Sequence, residues 1–339
     1  MKVGITYNLK EKANKEETVA GSPEERYEEF DSPETIEGIA KVLRSLGHEP
    51  VFIGFGNTAI RRLLENQVDF VFNIAEGYFG RSRESLIPAV LELLGIPYTG
   101  PDPLAAGITL DKAVAKRIAT FAGVETPSYI LVEAGKEVNF AAVEFPAIIK
   151  PAWEGSSKGI RLSSKVHDIK ELEKELNRLR EYYLWQTLLI EHFIDGREIT
   201  VGMIGNSPPQ VLGMMEIKPK KLKPEEFIYS LEVKRDYLKQ VEYISPPEIN
   251  NSIREKLERN AVTLFRAFGC RDVCRFDFRI DASGTPFFLE ANALPGINPN
   301  MSDLVIMAKR MNIEYNELIS RIFKSALSRY KKEEKYEHV

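Results

Sequence analysis

Four polar residues near the C-terminal end of the sequence are spaced so that they could act together. Arg275 and Asp277 are two residues apart, as are Glu290 and Asn292. The run Asp-Ala-Ser-Gly at 281–284 separates the two pairs and predicts a β-hairpin. Since side chains two apart on a strand point to one face, all four groups can share a face. The same alternation predicts that the intervening apolar side chains face the core, namely Cys274, Phe276, Phe278 and Leu289.

Two carboxylates and an amide oxygen on one face form a set of hard oxygen ligands, supplied here by Asp277, Glu290 and Asn292. Mg²⁺ (or Mn²⁺) uses few such protein ligands and completes its octahedron with nucleotide phosphates and water. Arg275 beside them can stabilise negative charge on a transferring phosphoryl group or a tetrahedral intermediate. A solvent-exposed ion-pair cluster is the alternative. The run Glu-Ala-Asn-Ala-Leu-Pro-Gly at 290–296 favours the metal site, because a solvated sheet face rarely ends in such a turn.

A second candidate site begins at Lys150, the last residue of a predicted strand over 147–150. The loop that follows, 151–160, is rich in glycine and serine. Backbone N–H groups of such a loop can hold a phosphate while the lysine adds positive charge. The spacing is not that of a P-loop, and an ordinary hairpin turn is the alternative.

A third candidate is the end of a predicted strand over 188–193, which contains Glu191 and His192 and precedes Glu198. Backbone groups at such a strand end can bind an adenine edge, and Glu198 could hold ribose hydroxyls. An ordinary strand and turn is the alternative.

Strand and helix patterns divide the chain into three units of an α/β (α+β) protein. Alternating strands and helices in 1–108 predict a parallel sheet covered by helices. A central unit spans 109–195, a strand-rich unit spans 196–330, and a charged tail, 331–339, is expected to fray. The predicted strands are 3–7, 51–53, 69–74, 96–98, 147–150, 188–193, 198–203, 210–216, 227–233, 273–280 and 285–292. The predicted helices start at Pro33 and near Asp111 and cover 83–94, 166–183 and 247–268, with two more after the hairpin. The polar stretch 8–31 is predicted to be a long loop of the kind that often forms lids or binding segments.

Composition narrows the class of function. A chain of 339 residues that is 43% apolar predicts a folded protein of two or three domains. The net charge of −4 gives no reason to expect binding to nucleic acid or to anionic membranes. The sequence has neither a secretory signal pattern nor an apolar run of bilayer length. Its two cysteines suit a reducing compartment, so a cytoplasmic protein is predicted.

These motifs in this order, with Asp111-Lys112 ahead of them, resemble the D-alanine–D-alanine ligase family of ATP-grasp enzymes over about residues 1–325. The segment 91–100, Leu-Glu-Leu-Leu-Gly-Ile-Pro-Tyr-Thr-Gly, looks like the family's stretch before its central domain. The resemblance implies a three-domain ATP-grasp fold with ATP bound between the central and C-terminal domains. It also implies an ADP-forming ligase in which ATP phosphorylates one carboxylate and a second substrate's amine attacks the acyl phosphate. The expected substrates are amino acids or dipeptides, and family members are often homodimers, which leaves a homodimer open here.

The resemblance implies a role for each matching position. It assigns the ATP phosphates to Lys112, Lys150 and Lys234, with Lys234 counted among the catalytic groups as well. It assigns the rest of the nucleotide to Glu191, His192, Phe193, Ile194, Glu198 and Leu289. It assigns the metal to Asp277, Glu290 and Asn292. It assigns the reacting amino acids to Ser156, to Arg275 at the carboxyl group, and to Gly296 near the tetrahedral centre.

Departures from the family pattern cluster where the amino acids are expected to bind. Glu76 stands in place of a histidine, Arg235 in place of a tyrosine, and Met301 in place of a serine, with Ser302 next; the loop 80–83 is two residues longer. The acid expected to hold the donor's amine has three candidates: Glu28, Glu29 and Asp31.

These departures predict a ligase for a different amino acid or peptide pair. Arg235, Arg81 or Arg83 could pair with an acidic acceptor, unless they are exposed lid charges. A strict D-alanine ligase is one alternative. A phosphoryl-transfer enzyme or a non-catalytic ATP-binding protein on the same fold are the others, since fold alone does not define function.

Overall fold

The computed structural model describes residues 1–10, 23–133, 136, 138–183 and 186–333. The N-terminal sheet is parallel with the strand order β2-β1-β3, formed by β1 (Lys2–Thr6), β2 (Glu49–Phe52) and β3 (Phe70–Asn73). Helices α1 (Pro33–Ser45) and α2 (Asn57–Asn66) make the two crossovers. α1 begins at Pro33 because proline's fixed φ suits the first helical position. The parallel βαβ unit predicted from the sequence is confirmed.

The predicted strand 96–98 is reduced to a single bridge between Tyr98 and Val71. Pro97 lies within this segment and has no N–H to donate to a ladder. The predicted helix 83–94 is present as α3 (Leu86–Leu93), and α4 (Pro103–Leu110) follows it.

The central sheet is antiparallel with the order β4-β7-β5-β6. Its strands are β4 (Tyr129–Val132), β5 (Ala147–Pro151), β6 (Lys165–Val166) and β7 (Leu188–His192), and its helices are α5 (Lys112–Phe121) and α6 (Ile169–Tyr183). Asp111 caps α5 by accepting hydrogen bonds from the N–H groups of Ala113 and Val114, both at 3.0 Å. This cap fixes the position of Lys112, the first residue of the helix.

The C-terminal sheet is antiparallel with the order β10-β9-β8-β11-β12. Its strands are β8 (Arg197–Ile204), β9 (Gln210–Pro219), β10 (Val241–Ile244), β11 (Val273–Ile280) and β12 (Pro286–Asn292). The predicted strand 227–233 is wrong: its second half lies in α7 (Leu231–Arg235), followed by α8 (Tyr237–Gln240), and β10 takes the place beside β9. The side chain of Ser230 accepts a hydrogen bond from Val233 N, which favours a helix start over a strand. Helix α9 (Asn251–Ala267) connects β10 to β11.

The last two helices are α10 (Asp303–Arg310) and α11 (Tyr315–Glu333). α11 returns to the N-terminal sheet, where Leu318, Ile322 and Phe323 share a core with Ile5 and Phe70. The helix continues three residues into the predicted frayed tail, and 334–339 lie outside the described residues, as do 11–22 of the predicted loop. No helix in the described part of the chain is both long enough and apolar enough to cross a bilayer.

Asp272 connects three parts of the fold and is 0% exposed. Its carboxylate accepts hydrogen bonds from Gly100 N at 3.0 Å, Asn206 Nδ2 at 2.8 Å and Arg329 Nη2 at 3.0 Å. These donors come from the N-terminal unit, the β8–β9 turn and α11. The buried pair of Asp272 and Arg329 therefore holds α11 in place against the N-terminal and C-terminal units.

We expect Asp272→Ala to lower the free energy of unfolding by about 3–5 kcal/mol, because Arg329 would remain buried without its carboxylate. Urea denaturation of both proteins measures the difference. Asp272→Asn is the matched control, because asparagine keeps the shape and tolerates the observed φ of 63°. It should cost less than the alanine variant, and an alanine variant as stable as the wild type would contradict this role.

Candidate active site

The hairpin of β11 and β12 places the four polar residues as the alternation predicts. Arg275 lies opposite Asn292, and Asp277 lies opposite Glu290. Thr200 on the neighbouring strand donates a hydrogen bond to Asp277 Oδ1 at 2.6 Å, and Arg275 Nη2 donates to Asp277 Oδ2 at 3.0 Å. The shared face is thereby confirmed, and the carboxylate of Asp277 is fixed in direction by neighbours on the sheet.

A bulge between Asp277 and Phe278 changes the alternation on β12. Phe288 fills the core at 0% exposure. Leu289 instead lines the cavity described next. The alternation predicted a core position for Leu289 and was wrong because the bulge adds one residue to β12, whereas the assignment from family resemblance placed it at the nucleotide.

A cavity lies between the central and C-terminal sheets, and we call it the inter-sheet cavity. Most residues assigned to nucleotide and catalysis line it, namely Lys150, Ser156, Glu191, Phe193, Ile194, Glu198, Lys234, Arg275, Asp277, Leu289 and Glu290. Ile148, Ile217 and Ile228 add apolar surface. The cavity thus has one apolar part and one part dense in charge, as a nucleotide requires.

Of the residues assigned to the nucleotide, His192 and Lys112 do not line the inter-sheet cavity. Lys112 lines the neighbouring cavity described below, whereas His192 lines neither. Its ring Nδ1 lies 3.4 Å from the carbonyl oxygen of Glu144, and its backbone N–H donates to Ser128 O. The structure therefore gives the side chain of His192 no part in the site.

Two lysines hold Glu191, and the sequence analysis missed one of them. Lys116 Nζ lies 2.6 Å from Glu191 Oε2, and Lys150 Nζ lies 3.1 Å from Oε1. Burial lowers the pKa of Lys116 to about 8, with Glu191 opposing and Lys150 adding to the shift. Lys116 follows Lys112 by four residues on one helix, a spacing that could have shown that both face the same side.

Cations also surround Glu290. Lys112 Nζ lies 3.1 Å from Glu290 Oε2 and also donates to the carbonyl oxygen of Glu154. Burial raises the pKa of Glu290, but Lys112, Lys150 and Arg275 outweigh it and lower the pKa to about 2. Glu290 therefore carries full negative charge at neutral pH.

Glu198 has a cationic neighbour that the sequence analysis also missed. Arg279 Nη1 lies 3.5 Å from Glu198 Oε2. Burial raises the pKa of Glu198 to about 7, with Arg279 opposing. Arg279 is two residues beyond Asp277, so the alternation that found Arg275 could have found it.

A second cavity of about 330 Å³, which we call the adjoining cavity, shares Ser156, Lys234, Arg275 and Glu290 with the first. The remaining assigned residues line this cavity, namely Glu76, Lys112, Arg235, Asn292, Gly296, Met301 and Ser302. The hydroxyl of Ser302 accepts a hydrogen bond from Asn298 N at 2.8 Å, and Met301 is 57% exposed. Because Arg275 and Glu290 face both cavities, the two spaces meet at the predicted metal and phosphoryl groups.

The three acids that competed for a substrate amine have different surroundings. Glu29 binds Arg83 and Lys158 and accepts a hydrogen bond from Gly155 N at 2.6 Å. Glu28 pairs with Arg235 at 3.0 Å and Lys10 at 3.4 Å. Asp31 lines the adjoining cavity and has no ion pair among the described residues. Asp31 is therefore the one of the three that remains available to a ligand.

The arginines proposed for an acidic acceptor bind carboxylates of the chain itself. Arg81 pairs with Asp111 at 2.5 Å, Arg83 binds Glu29 at 2.9 Å, and Arg235 binds Glu24 at 2.9 Å besides Glu28. Arg83 is 3% exposed. Their charges are thus neutralised within the protein, and the geometry gives an acidic acceptor no support from them.

This structure has a cavity between two antiparallel sheets and a parallel unit beside them, which is the architecture expected of an ATP-grasp protein. The structure matches a D-alanine–D-alanine ligase from Bacillus anthracis complexed with ATP, with a TM-score of 0.74, 23% identity, and coverage of 98% of this chain and 99% of that one. This match establishes the ATP-grasp fold.

Sequence comparison identifies the family. The family model described as D-ala D-ala ligase C-terminus matches residues 116–324. A D-alanine–D-alanine ligase of Aquifex aeolicus is 32% identical over 293 residues, which are 86% of this chain and 94% of the relative. An uncharacterized protein of Sinorhizobium fredii is 34% identical over 303 residues, 87% of this chain and 88% of the relative. The chain belongs to the D-alanine–D-alanine ligase family, whose members are ATP-dependent, ADP-forming ligases that make a peptide bond.

Glu84 makes stability depend on pH. Burial raises its pKa to about 7, Arg83 and Lys112 oppose the shift, and Glu29 adds to it. Between the unfolded value of 4.5 and about 7, the folded protein keeps a proton that the unfolded chain has lost. The stabilisation from this proton is therefore complete below pH 4.5 and lost as pH rises to about 7. The free energy of unfolding of Glu84→Gln, relative to that of the wild type, should rise by about 3 kcal/mol between pH 4.5 and 7.5. Urea unfolding of both proteins at several pH values measures this difference. A constant difference between the two proteins across this range would contradict the shift.

Proposed function

We propose that this protein is an ATP- and Mg²⁺-dependent ligase that joins two amino acids, or an amino acid and a peptide, through an acyl phosphate. The observation that carries the proposal is the meeting of the two cavities at Arg275 and Glu290. A nucleotide in the first cavity and a carboxylate in the second would contact each other at this point, as phosphoryl transfer requires.

The lining of the inter-sheet cavity supports binding of ATP. Phe193, Ile194 and Leu289 offer apolar surface for the base, and Glu198 is suited to the ribose hydroxyls. Lys150 and Lys234 line the charged part, where they would neutralise phosphate oxygens. The loop that begins at Gly155 turns through two left-handed residues, Ser156 and Ser157, with φ of 50° and 59°. Consecutive N–H groups of such a turn suit an anion.

The chemistry of the hairpin face fits a divalent cation that arrives with the nucleotide. Asp277 and Glu290 supply two carboxylates and Asn292 an amide oxygen, on strands that fix their positions. No group of three or more acidic, histidine or cysteine side chains within the described ranges could hold a metal alone. Two carboxylates need phosphate oxygens and water to complete an octahedron, which is how Mg²⁺ is usually bound with nucleotides. When bound there, the metal would neutralise charge that develops on the phosphates.

The remaining groups would position the reacting amino acids. Arg275 is buried between Asp277 and Asp303, and both carboxylates keep it charged and oriented. Its guanidinium would orient the carboxylate that accepts the phosphoryl group and stabilise the oxyanion that forms when the amine attacks. Ser156 lines both cavities, and Gly296 lines the second beside Ser302. These contacts support the assigned roles of Ser156 and Gly296 at the amino acids.

The ligase is expected to form ADP only when a carboxylate substrate and an amine substrate are both present. A panel of D- and L-amino acids and dipeptides, assayed for ADP release and for product mass, tests this. Stable phosphorylation without an amine would favour a phosphoryl-transfer enzyme. Tight ATP binding with no ADP from any pair would favour a non-catalytic role, and turnover of D-alanine alone would remove the proposal of altered specificity.

The hairpin carboxylates give a second test. Glu290→Gln should reduce kcat by about 100-fold or more, because the metal loses a charged ligand while the fold keeps its shape. The reduction in kcat should become smaller as the concentration of Mg²⁺ or Mn²⁺ is raised. Glu255→Gln is the matched control, because Glu255 is an exposed acid on α9. Equal kcat in the wild type and Glu290→Gln would argue against a metal at this face.

A further inference from the structure

Three carboxyl groups on one wall of the adjoining cavity lack a cation of their own. Asp31, Glu76 and Glu84 all line this cavity. Glu84 is 9% exposed, and Arg83 Nη2, at 3.9 Å, is the one cationic atom within 4.0 Å of it in the described chain. Glu76 has no ion pair with any residue of the described ranges, and neither has Asp31.

Arg83 is not available to Glu84. Its Nη2 donates to both oxygens of Glu29 at 2.9 Å, and its Nη1 donates to the carbonyl oxygen of Trp153. The carboxyl group of Glu76 lies close enough to that of Glu84 for a hydrogen bond between them. Two carboxyl groups can share a hydrogen bond only when one of them holds a proton. A bound cation can take the place of that proton.

The other acids around the cavity contrast with this group. Glu28 is neutralised by Arg235, Glu29 by Lys158 and Glu290 by Lys112. Glu154 also pairs with Lys158, and Asp303 pairs with Arg275. The excess of carboxyl groups is thus confined to the wall formed by residues 31–84. Burying carboxyl groups without partners opposes folding unless a ligand supplies the charge. A single α-ammonium group needs one carboxylate, and this wall holds three.

We propose that one of the two amino-acid substrates has a cationic side chain, like lysine, ornithine or arginine, and that Asp31, Glu76 and Glu84 bind its two positive groups. This inference rests on the ligase function proposed above and names its substrate class. The α-carboxylate of the same molecule would face Arg275 in the same cavity. Glu76, where the family pattern has a histidine, then acts as a specificity residue.

Turnover of a matched series tests the proposal. Lysine, ornithine and arginine are compared with norleucine, which has a similar chain without the charge, as both D and L forms and each with alanine as the partner. ADP release and product mass are measured. We expect kcat/KM to be at least about 30-fold higher for a cationic amino acid than for norleucine, which is the range of a charge-assisted hydrogen bond. In the double variant Glu76→Gln, Glu84→Gln, kcat/KM for the cationic amino acid should fall toward that for norleucine, so most of this ratio should be lost. Glu255→Gln should leave the ratio unchanged.

A second measurement does not depend on turnover. Binding of lysine is followed by calorimetry at pH 6.5, with Mg²⁺ and a non-hydrolysable ATP analogue present, in buffers of different ionisation enthalpy. Lysine should displace the proton between Glu76 and Glu84, so the heat should report proton release that Glu84→Gln abolishes. Equal turnover of norleucine and lysine, or lysine binding without proton release, would overturn the proposal. If no pair forms ADP, the ligase function fails, and the calorimetry alone decides whether the cavity binds a cationic amino acid.

Discussion

The register of β11 against β12 is the constraint on which the rest of the site depends. It places Asp277 opposite Glu290 and Arg275 opposite Asn292, so two carboxylates lie opposite each other on one sheet face. Such a face is costly to bury unless cations reach it from elsewhere. Lys112 from α5 and Lys150 from β5 lie close enough to lower the pKa of Glu290. The hairpin therefore requires two elements of the central unit to converge on it, and the cavity between the sheets is the result.

Sequence reasoning succeeded where local chemistry decides the structure. The start of α1 at Pro33, the start of α5 near Asp111 and the hairpin turn at 281–284 each depend on a few adjacent residues. It failed where a non-local partner decides. The segment 227–233 is rich in residues that favour strands, yet Ser230 caps a helix there and β10 occupies the sheet position. The bulge that turns Leu289 toward the inter-sheet cavity left no signal in the alternation.

The same contrast between local and non-local causes applies to the candidate site. The hairpin residues lie on strands, so the period of the strand was enough to group them. The nucleotide residues, which include Lys112 and Lys234 on helices, were grouped by the family resemblance. The partners of Arg81, Arg83 and Arg235 are 30 to 211 residues away in sequence. Whether an arginine is free for a substrate or bound to a glutamate cannot be read from spacing, because the answer depends on tertiary contacts alone. The expected acidic acceptor followed from those arginines and weakened once their partners were known.

The two cavities differ in how their carboxyl groups are neutralised. In the inter-sheet cavity, Glu191, Glu198 and Glu290 have cationic neighbours, whereas Asp31 and Glu76 in the adjoining cavity have no ion pair among the described residues. The inter-sheet cavity has lysines at its charged part, with Lys116 and Lys150 both directed at Glu191. Its strands leave little freedom for change, which suits a nucleotide common to the family. Asp31 and Glu76 line the adjoining cavity and belong to loops of the N-terminal unit. Loops tolerate substitution without loss of the sheet, so substrate choice can change there while the hairpin and its cations stay in place. Among the departures from the family pattern, Glu76, the loop 80–83, Met301 and Ser302 lie outside α-helices and strands, whereas Arg235 ends α7.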